Sequence, residues 1–255
     1  MKHAFLGSAA LLALVAAGPS VAADMRAKPI YKAPPTAIAS VYNWTGFYVG
    51  GHVGYGWGDK DWTFPPPSDP PGVNFDVDGF LGGGQIGFNW QAGNWVFGIE
   101  GEFSWSGIDG AATLTPPGSP SATFSSELNW IATLTGRIGY AWNNWLWYVK
   151  GGGAWADEDH SISSVGTPTA AASGSASGWT IGGGAEYGFA PNWSARVEYS
   201  YYDFGSKTYT FTAAGSPAED LAIDQQIHAV KFGINYRFGD FGKGPVGKGP
   251  VVTRY

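Results

Sequence analysis

An Asn-Trp pair recurs at Asn43-Trp44, Asn94-Trp95, Asn144-Trp145 and Asn192-Trp193, its tryptophans 51, 50 and 48 residues apart. A repeat of this length sets the architecture before any single element does. From each pair a strand-like segment runs out to a long stretch rich in Gly, Pro, Ser, Thr and Asp, and a second strand returns to the next pair. Four such hairpins predict eight antiparallel strands.

Alternation supports each strand. Phe47, Val49, Val53, Tyr55 and Trp57 share one face of the first, with Gly50, His52, Gly54 and Gly56 on the other. In the third, Trp95, Phe97, Ile99, Phe103 and Trp105 oppose Glu100, Glu102, Ser104 and Ser106, and in the last Val230, Phe232, Ile234, Tyr236 and Phe238 oppose Lys231, Asn235 and Arg237. The fifth is the least regular, because Leu146 and Tyr148 share a face with Lys150. A soluble sandwich and a membrane barrel both alternate in this way, so the placement of aromatics has to separate them. Trp44, Trp90, Trp95, Trp142, Trp145, Phe189, Trp193 and Phe238 lie beside the short turns, and the apolar parity predicts an interfacial girdle there. Trp57, Phe80, Trp105, Trp130, Trp155 and Trp179 form a second girdle at the opposite strand ends. A sandwich has no reason to place aromatics at both ends. The expected fold is therefore all-β: an eight-stranded antiparallel up-and-down transmembrane β-barrel over residues 43–238.

The beginning of the chain supplies the route to a membrane. Lys2 and His3 precede an apolar run from Ala4 to Ala17 and small residues ending at Ala22 and Ala23. This reads as a secretory signal peptide over residues 1–23, with cleavage after Ala22 or Ala23. No later run approaches the roughly 18 to 20 apolar residues of a spanning helix. Only 13% of residues are charged and the mean hydropathy is −0.10, which suits strands that show lipid every second residue. The absence of cysteine removes disulfides, thiolate metal sites and cysteine catalysis together. Turns at Ala92-Gly93, Asn143-Asn144 and Ala190-Pro191 are short, whereas loops of about twenty residues are expected over 58–77, 106–127, 156–177 and 204–225. Short turns are periplasmic in such barrels and long loops extracellular, so both termini are expected in the periplasm.

At Trp44 to Gly58 the residues WTGFYVGGHVGYGWG, and at Val230 to Phe238 the residues VKFGINYRF, resemble the opacity-type outer-membrane barrels of α-proteobacteria, the outer-membrane immunogenic or small-porin family. The resemblance covers nearly all of the mature chain. It implies an outer-membrane barrel contacting lipid and lipopolysaccharide, surface exposure and antigenicity. Lys231, Gly233, Tyr236 and Phe238 also resemble the terminal insertion signal read by the barrel-assembly machinery, although seventeen residues follow Phe238 and the chain ends in another aromatic, Tyr255.

Charge divides the mature chain into regions. The Pro-rich arm, residues 24–42, and the Gly/Pro/Lys tail, residues 239–255, each carry +2, and the four long loops, taken with Asp203 at the foot of the fourth, carry −11. Arm and tail read as extended periplasmic tethers, with an anionic periplasmic polymer as the partner their charge would fit. In the strands, Glu100, Glu102, Glu186 and Glu198 share lumen-facing parity with Arg137, Lys150, Arg196, Lys231 and Arg237. Charges buried singly are costly, so these nine are expected to interlock and plug the barrel.

Other chemistries find little support. Gly82-x-Gly84-x-x-Gly87 matches a dinucleotide fingerprint, but Ile86, Phe88 and Trp90 continue a strand where that motif needs a helix. His52 faces the lumen with no nucleophile motif beside it, so no catalytic residue and no cofactor are expected. Asp157, Glu158, Asp159 and His160 read as a solvated acidic loop with little capacity to fix a metal. Nothing points to nucleic acid. The leading expectation is a structural, surface-exposed barrel presenting four acidic loops; the alternatives are a narrow porin for small solutes and a small-ligand or metal receptor.

Overall fold

The computed structural model describes residues 42–63, 72–115, 120–215 and 217–238. The expected signal peptide, the arm before Tyr42 and the tail fall outside them. Eight strands follow in order: β1 (Gly46–Thr63), β2 (Val73–Ala92), β3 (Trp95–Leu114), β4 (Ala122–Trp142), β5 (Trp145–Ser164), β6 (Ala170–Ala190), β7 (Trp193–Phe211) and β8 (Glu219–Phe238). Each pairs antiparallel with the next, and β1 pairs with β8 from Phe47↔Phe238 to Thr63↔Ala222, closing the ring. Closure satisfies the strand edges, which a sheet immersed in hydrocarbon requires.

At one end the strands are joined by two-residue turns, 93–94, 143–144 and 191–192. Gly93 (φ 63°) and Asn143 (φ 54°) supply the left-handed backbone that such tight reversals use. The other end departs from the sequence reading. The strands are 18 to 21 residues long, about twice what a bilayer needs, and the connections shrink to 64–72, 115–121, 165–169 and 212–218. Most of the residues expected in loops are thus strand.

The physical reason is an inversion of pattern at the second aromatic ring. Between the rings, apolar side chains face out: Val53 is 65% exposed, Phe80 78% and Ile86 64%. Beyond Trp57, Trp105 and Trp155 the acids face out, as with Asp59, Asp61, Asp109 and Asp159, and the apolar residues turn in. There Trp62, Val73, Phe75, Val77, Ile108, Phe124, Leu128, Phe211, Leu221, Ile223 and Ile227 pack as one buried core. Irregularities between Leu128 and Trp130 in β4 and between Asp203 and Gly205 in β7 shift the register at this boundary. In both strands they also switch which parity points inward.

Two of the eight ladders do not run the full height. The β2/β3 ladder stops outward at Asp78↔Asp109. The β6/β7 ladder stops at Trp179↔Asp203, and only the bridge Ala171↔Thr212 rejoins those strands farther out.

Candidate functional site: the layered lumen

Counted from the short-turn end, the lumen is filled in layers. The first is an apolar cap of Tyr42, Trp44, Val96, Ala141, Leu146 and Tyr148. Trp44 was expected in the girdle and instead lies inside, 1% exposed, its ring 4.5 Å from that of Tyr42. It shares the inward parity of Tyr48, and Gly46 (φ 140°) adopts a backbone that a side chain would resist as the chain enters the mouth. The other seven of that set, Trp90, Trp95, Trp142, Trp145, Phe189, Trp193 and Phe238, point outward and are 43–66% exposed. The same parity explains β5: Leu146, Tyr148 and Lys150 all face the lumen, while Trp145, Trp147 and Val149 face out.

Above the cap lies the ionic layer. Arg196 reaches Glu100 at 2.6 Å, Glu102 at 2.9 Å and Glu198 at 3.7 Å. Lys150 reaches Glu198 at 2.7 Å, Glu100 at 3.0 Å and Glu102 at 3.5 Å. Lys231 pairs with Glu102 and, at 3.0 Å, with Glu198, while Arg137 lies 3.3 Å from Glu186 and 3.9 Å from Glu100. All eight are buried, and four carboxylates face four cations. Tyr48 and Tyr148 each donate a 2.8 Å hydrogen bond, to Glu100 and Glu198, and Arg137 stacks over both rings at 4.8 and 5.1 Å. This dense pairing offsets the desolvation that makes isolated buried charges costly, although Arg137 Nη2 and Arg196 Nε are buried without a hydrogen-bond partner.

Parity alone groups these eight in the sequence, and the structure brings them together in space. Arg237, the ninth, sits lower, donating to the Thr45 and Pro191 carbonyls and lying 5.0 Å over the Tyr42 ring. Lys231 and Gly233 face the lumen, where Gly233 leaves room for the Arg196 side chain, whereas Tyr236 and Phe238 face outward beside Trp193. His52 continues the polar layer, with Gln85 at 2.7 Å and Ser104 at 2.8 Å.

The sequence reading missed a second polar cluster within the outer core. Lys60 donates to Ser126 at 2.5 Å and pairs with Glu158 at 3.4 Å; Ser126 contacts His160 Nδ1 at 2.6 Å, and Tyr209 donates to Glu158 at 2.9 Å. Read as a loop, 157–160 offered four adjacent ligands. As a strand it alternates, with Glu158 and His160 buried inside and Asp157 and Asp159 outside, so the four do not converge. Among the described residues no group of three or more His, Cys, Asp or Glu is placed to hold a metal. The signal that was available is the alternation of Lys60 and Trp62 against Asp59 and Asp61.

This cluster lies beyond the outer aromatic ring, outside the membrane-spanning part of the strands. Burial favours the neutral acid at Glu158, but the His160 ring, the Lys60 charge and the Tyr209 hydroxyl outweigh it and hold the carboxyl down at about 2. On the outer surface, partial burial and then the neighbouring Asp76 carboxyl raise Asp59 above its ordinary value.

The sequence matches the family described as outer membrane protein beta-barrel domain over residues 8–238. It is 29% identical over 251 residues to the 31 kDa outer-membrane immunogenic protein of Brucella melitensis, covering 93% of this chain and 100% of that one. It is 30% identical over 196 residues to the 22 kDa outer membrane protein of Rhizobium leguminosarum, covering 77% of this chain and 79% of that one. Among solved structures, the outer membrane protease OmpT of Escherichia coli superposes with a TM-score of 0.51 at 8% identity, over 77% of this chain and 98% of that one; this likeness extends to the fold alone. With its closed ring of eight strands, its two outward aromatic rings and its relatives, this chain belongs to the outer-membrane β-barrel family of Gram-negative bacteria.

Proposed function

We propose that this protein is a non-conducting structural barrel of the outer membrane that presents an acidic, antigenic surface to the outside. The observation that carries the reading is the balanced ionic layer, in which four buried carboxylates and four buried cations leave neither a water column nor a ring of one sign to pass ions. The apolar cap around Trp44 and the packed outer core add a closure on either side. In this reading the acids stand on strand extensions rather than on four long loops, and relatives named as immunogenic support an antigenic role. The short turns and both termini lie on the periplasmic side. Lipid and lipopolysaccharide surround the barrel, the assembly machinery reads Tyr236 and Phe238 on the lipid face, and the basic arm and tail reach toward an anionic periplasmic polymer. The protein is not an enzyme in this reading, because Ser126, His160 and Glu158 are each 2% exposed in the closed barrel and bonded within a packed apolar core.

Purified, refolded protein in planar bilayers tests the reading. The expected result is no steady conductance from the wild type. A steady, ion-selective conductance that falls in Arg137→Ala would overturn it in favour of a narrow porin.

A further inference from the structure

The two incomplete ladders face each other across the barrel. Beyond the aromatic ring they divide the wall into two four-stranded leaves, β7-β8-β1-β2 and β3-β4-β5-β6, each fully laddered within itself. One leaf contributes Trp62, Val73, Phe75, Val77, Tyr209, Phe211, Leu221, Ile223 and Ile227 to the core between them. The other contributes Ile108, Phe124, Leu128, Ile131 and the small Ala154, Ala156, Ala172 and Ala176. Two sheets pressing apolar faces together form a sandwich in miniature, carried on a closed barrel.

The polar groups of this core join one leaf to the other. Lys60 and Tyr209 belong to the first leaf; Ser126, Glu158 and His160 belong to the second. Every hydrogen bond and ion pair described from Lys60 or Tyr209 to the other three therefore crosses between leaves. The His160 ring also meets Tyr209 edge-on at 4.5 Å and Trp62 at 5.6 Å. The β6 side of the second seam, residues 170–178, is built only of Ala, Ser and Gly, which gives neighbouring side chains little to grip. Among the described residues two hydrogen-bonded fastenings cross it: Lys207 donates to the Ser175 carbonyl at 2.6 Å, and Ala171 and Thr212 exchange hydrogen bonds at 3.0 and 3.1 Å.

We propose that the outer half is a two-leaved clasp that parts along the β2/β3 and β6/β7 seams while the membrane-spanning half stays closed, with Lys60, Glu158 and Tyr209 as its latch. Parting exposes the apolar inner faces of both leaves at the cell surface. The ring between the aromatic girdles is laddered on all eight sides and serves as the hinge. Local opening of this kind draws on the least cross-linked part of a structure, and here that part has two incomplete ladders.

The absence of native cysteine allows a direct test in the full-length protein refolded into liposomes. Ala156→Cys places a thiol in the outer core, where the residue is 0% exposed; Thr135→Cys places one in the membrane-spanning lumen, where it is 1% exposed. A membrane-impermeant maleimide is expected to label position 156 at least about tenfold faster than position 135, because local opening has a lower free energy than global unfolding. Adding Glu158→Gln or Lys60→Met should speed labelling at 156 by a further factor of about ten and leave 135 unchanged. A disulfide between Ala171→Cys and Thr212→Cys, which fastens the β6/β7 seam, should slow labelling at 156 in either background. Equal rates at 156 and 135, acceleration of both by the latch variants, or labelling indifferent to the disulfide would each overturn the proposal. If the latch variants do not refold, the wild-type contrast and the disulfide still decide it.

Discussion

The two halves of this barrel use the same strands with opposite polarity. Between the aromatic rings the exterior is apolar and the interior ionic; beyond the outer ring the exterior is acidic and the interior an apolar core. The membrane half gains little from hiding apolar surface, because lipid already receives it, and so depends on ladders and on the ion network. The outer half stands in water and relies on hydrophobic burial. Environment, rather than backbone geometry, therefore decides which face of a strand is the inside.

The comparison can be broken from either side. The largest expected effect lies in the ionic layer. Arg196→Ala leaves Glu100, Glu102 and Glu198 short of a cation, and stability should fall by about 3–5 kcal/mol in denaturant titration. A loss below about 1 kcal/mol would mean that water already compensates these carboxylates. In the outer half Leu128→Ala should cost about 2–4 kcal/mol as a cavity in an apolar core. Hydrogen exchange should show that loss beyond the outer ring only; loss spread evenly over both halves would erase the distinction between them.

Acid should act on the outer half next. Glu158 is held at about 2 against an ordinary 4.5, so its contribution is complete above about 4.5 and disappears as the pH falls toward 2. Amide hydrogen exchange in the outer half, referred to the intrinsic rate at each pH, should accelerate over that interval in wild type and lose this pH step in Glu158→Gln. The smallest effect is expected at the surface, where Asp59↔Asp76 sets two carboxyls side by side. With its carboxyl raised, Asp59 is a burden once ionised. Asp59→Asn should raise the midpoint of unfolding slightly at neutral pH and not at all below the ordinary carboxylate range. A lowered midpoint at neutral pH would show that the acid pair is stabilised by something else, such as a bound cation.

Strand count, short turns, outward aromatics and the eight-membered ion network were legible because, between the rings, a side chain's parity alone fixes its environment. The outer strands were not. Val73, Phe75 and Val77 alternate with Asn74, Asp76 and Asp78 as plainly as any membrane strand, but this stretch borders Pro- and Ser-rich sequence and reads as loop by composition. The irregularities near Asn129 and Phe204 then reverse the parity, so counting outward from the girdle assigns Ser126 and Tyr209 to the wrong face. Trp44 was misplaced for a different reason: its parity is that of the inward Tyr48, not of the outward Phe47 and Val49, and its aromatic character was given precedence over that parity. The outer polar cluster was not legible because Lys60, Ser126, Glu158 and Tyr209 come from four separate strands, and no spacing rule links them.

The equality of charge in the ionic layer has a consequence for how the barrel experiences voltage. Moving one elementary charge through 100 mV is worth about 2.3 kcal/mol. Four carboxylates locked to four cations sum to zero, so a potential across the membrane does no net work on shifting the group as a whole. The network at that depth therefore carries no net gating charge, and an imposed voltage gains no leverage on it.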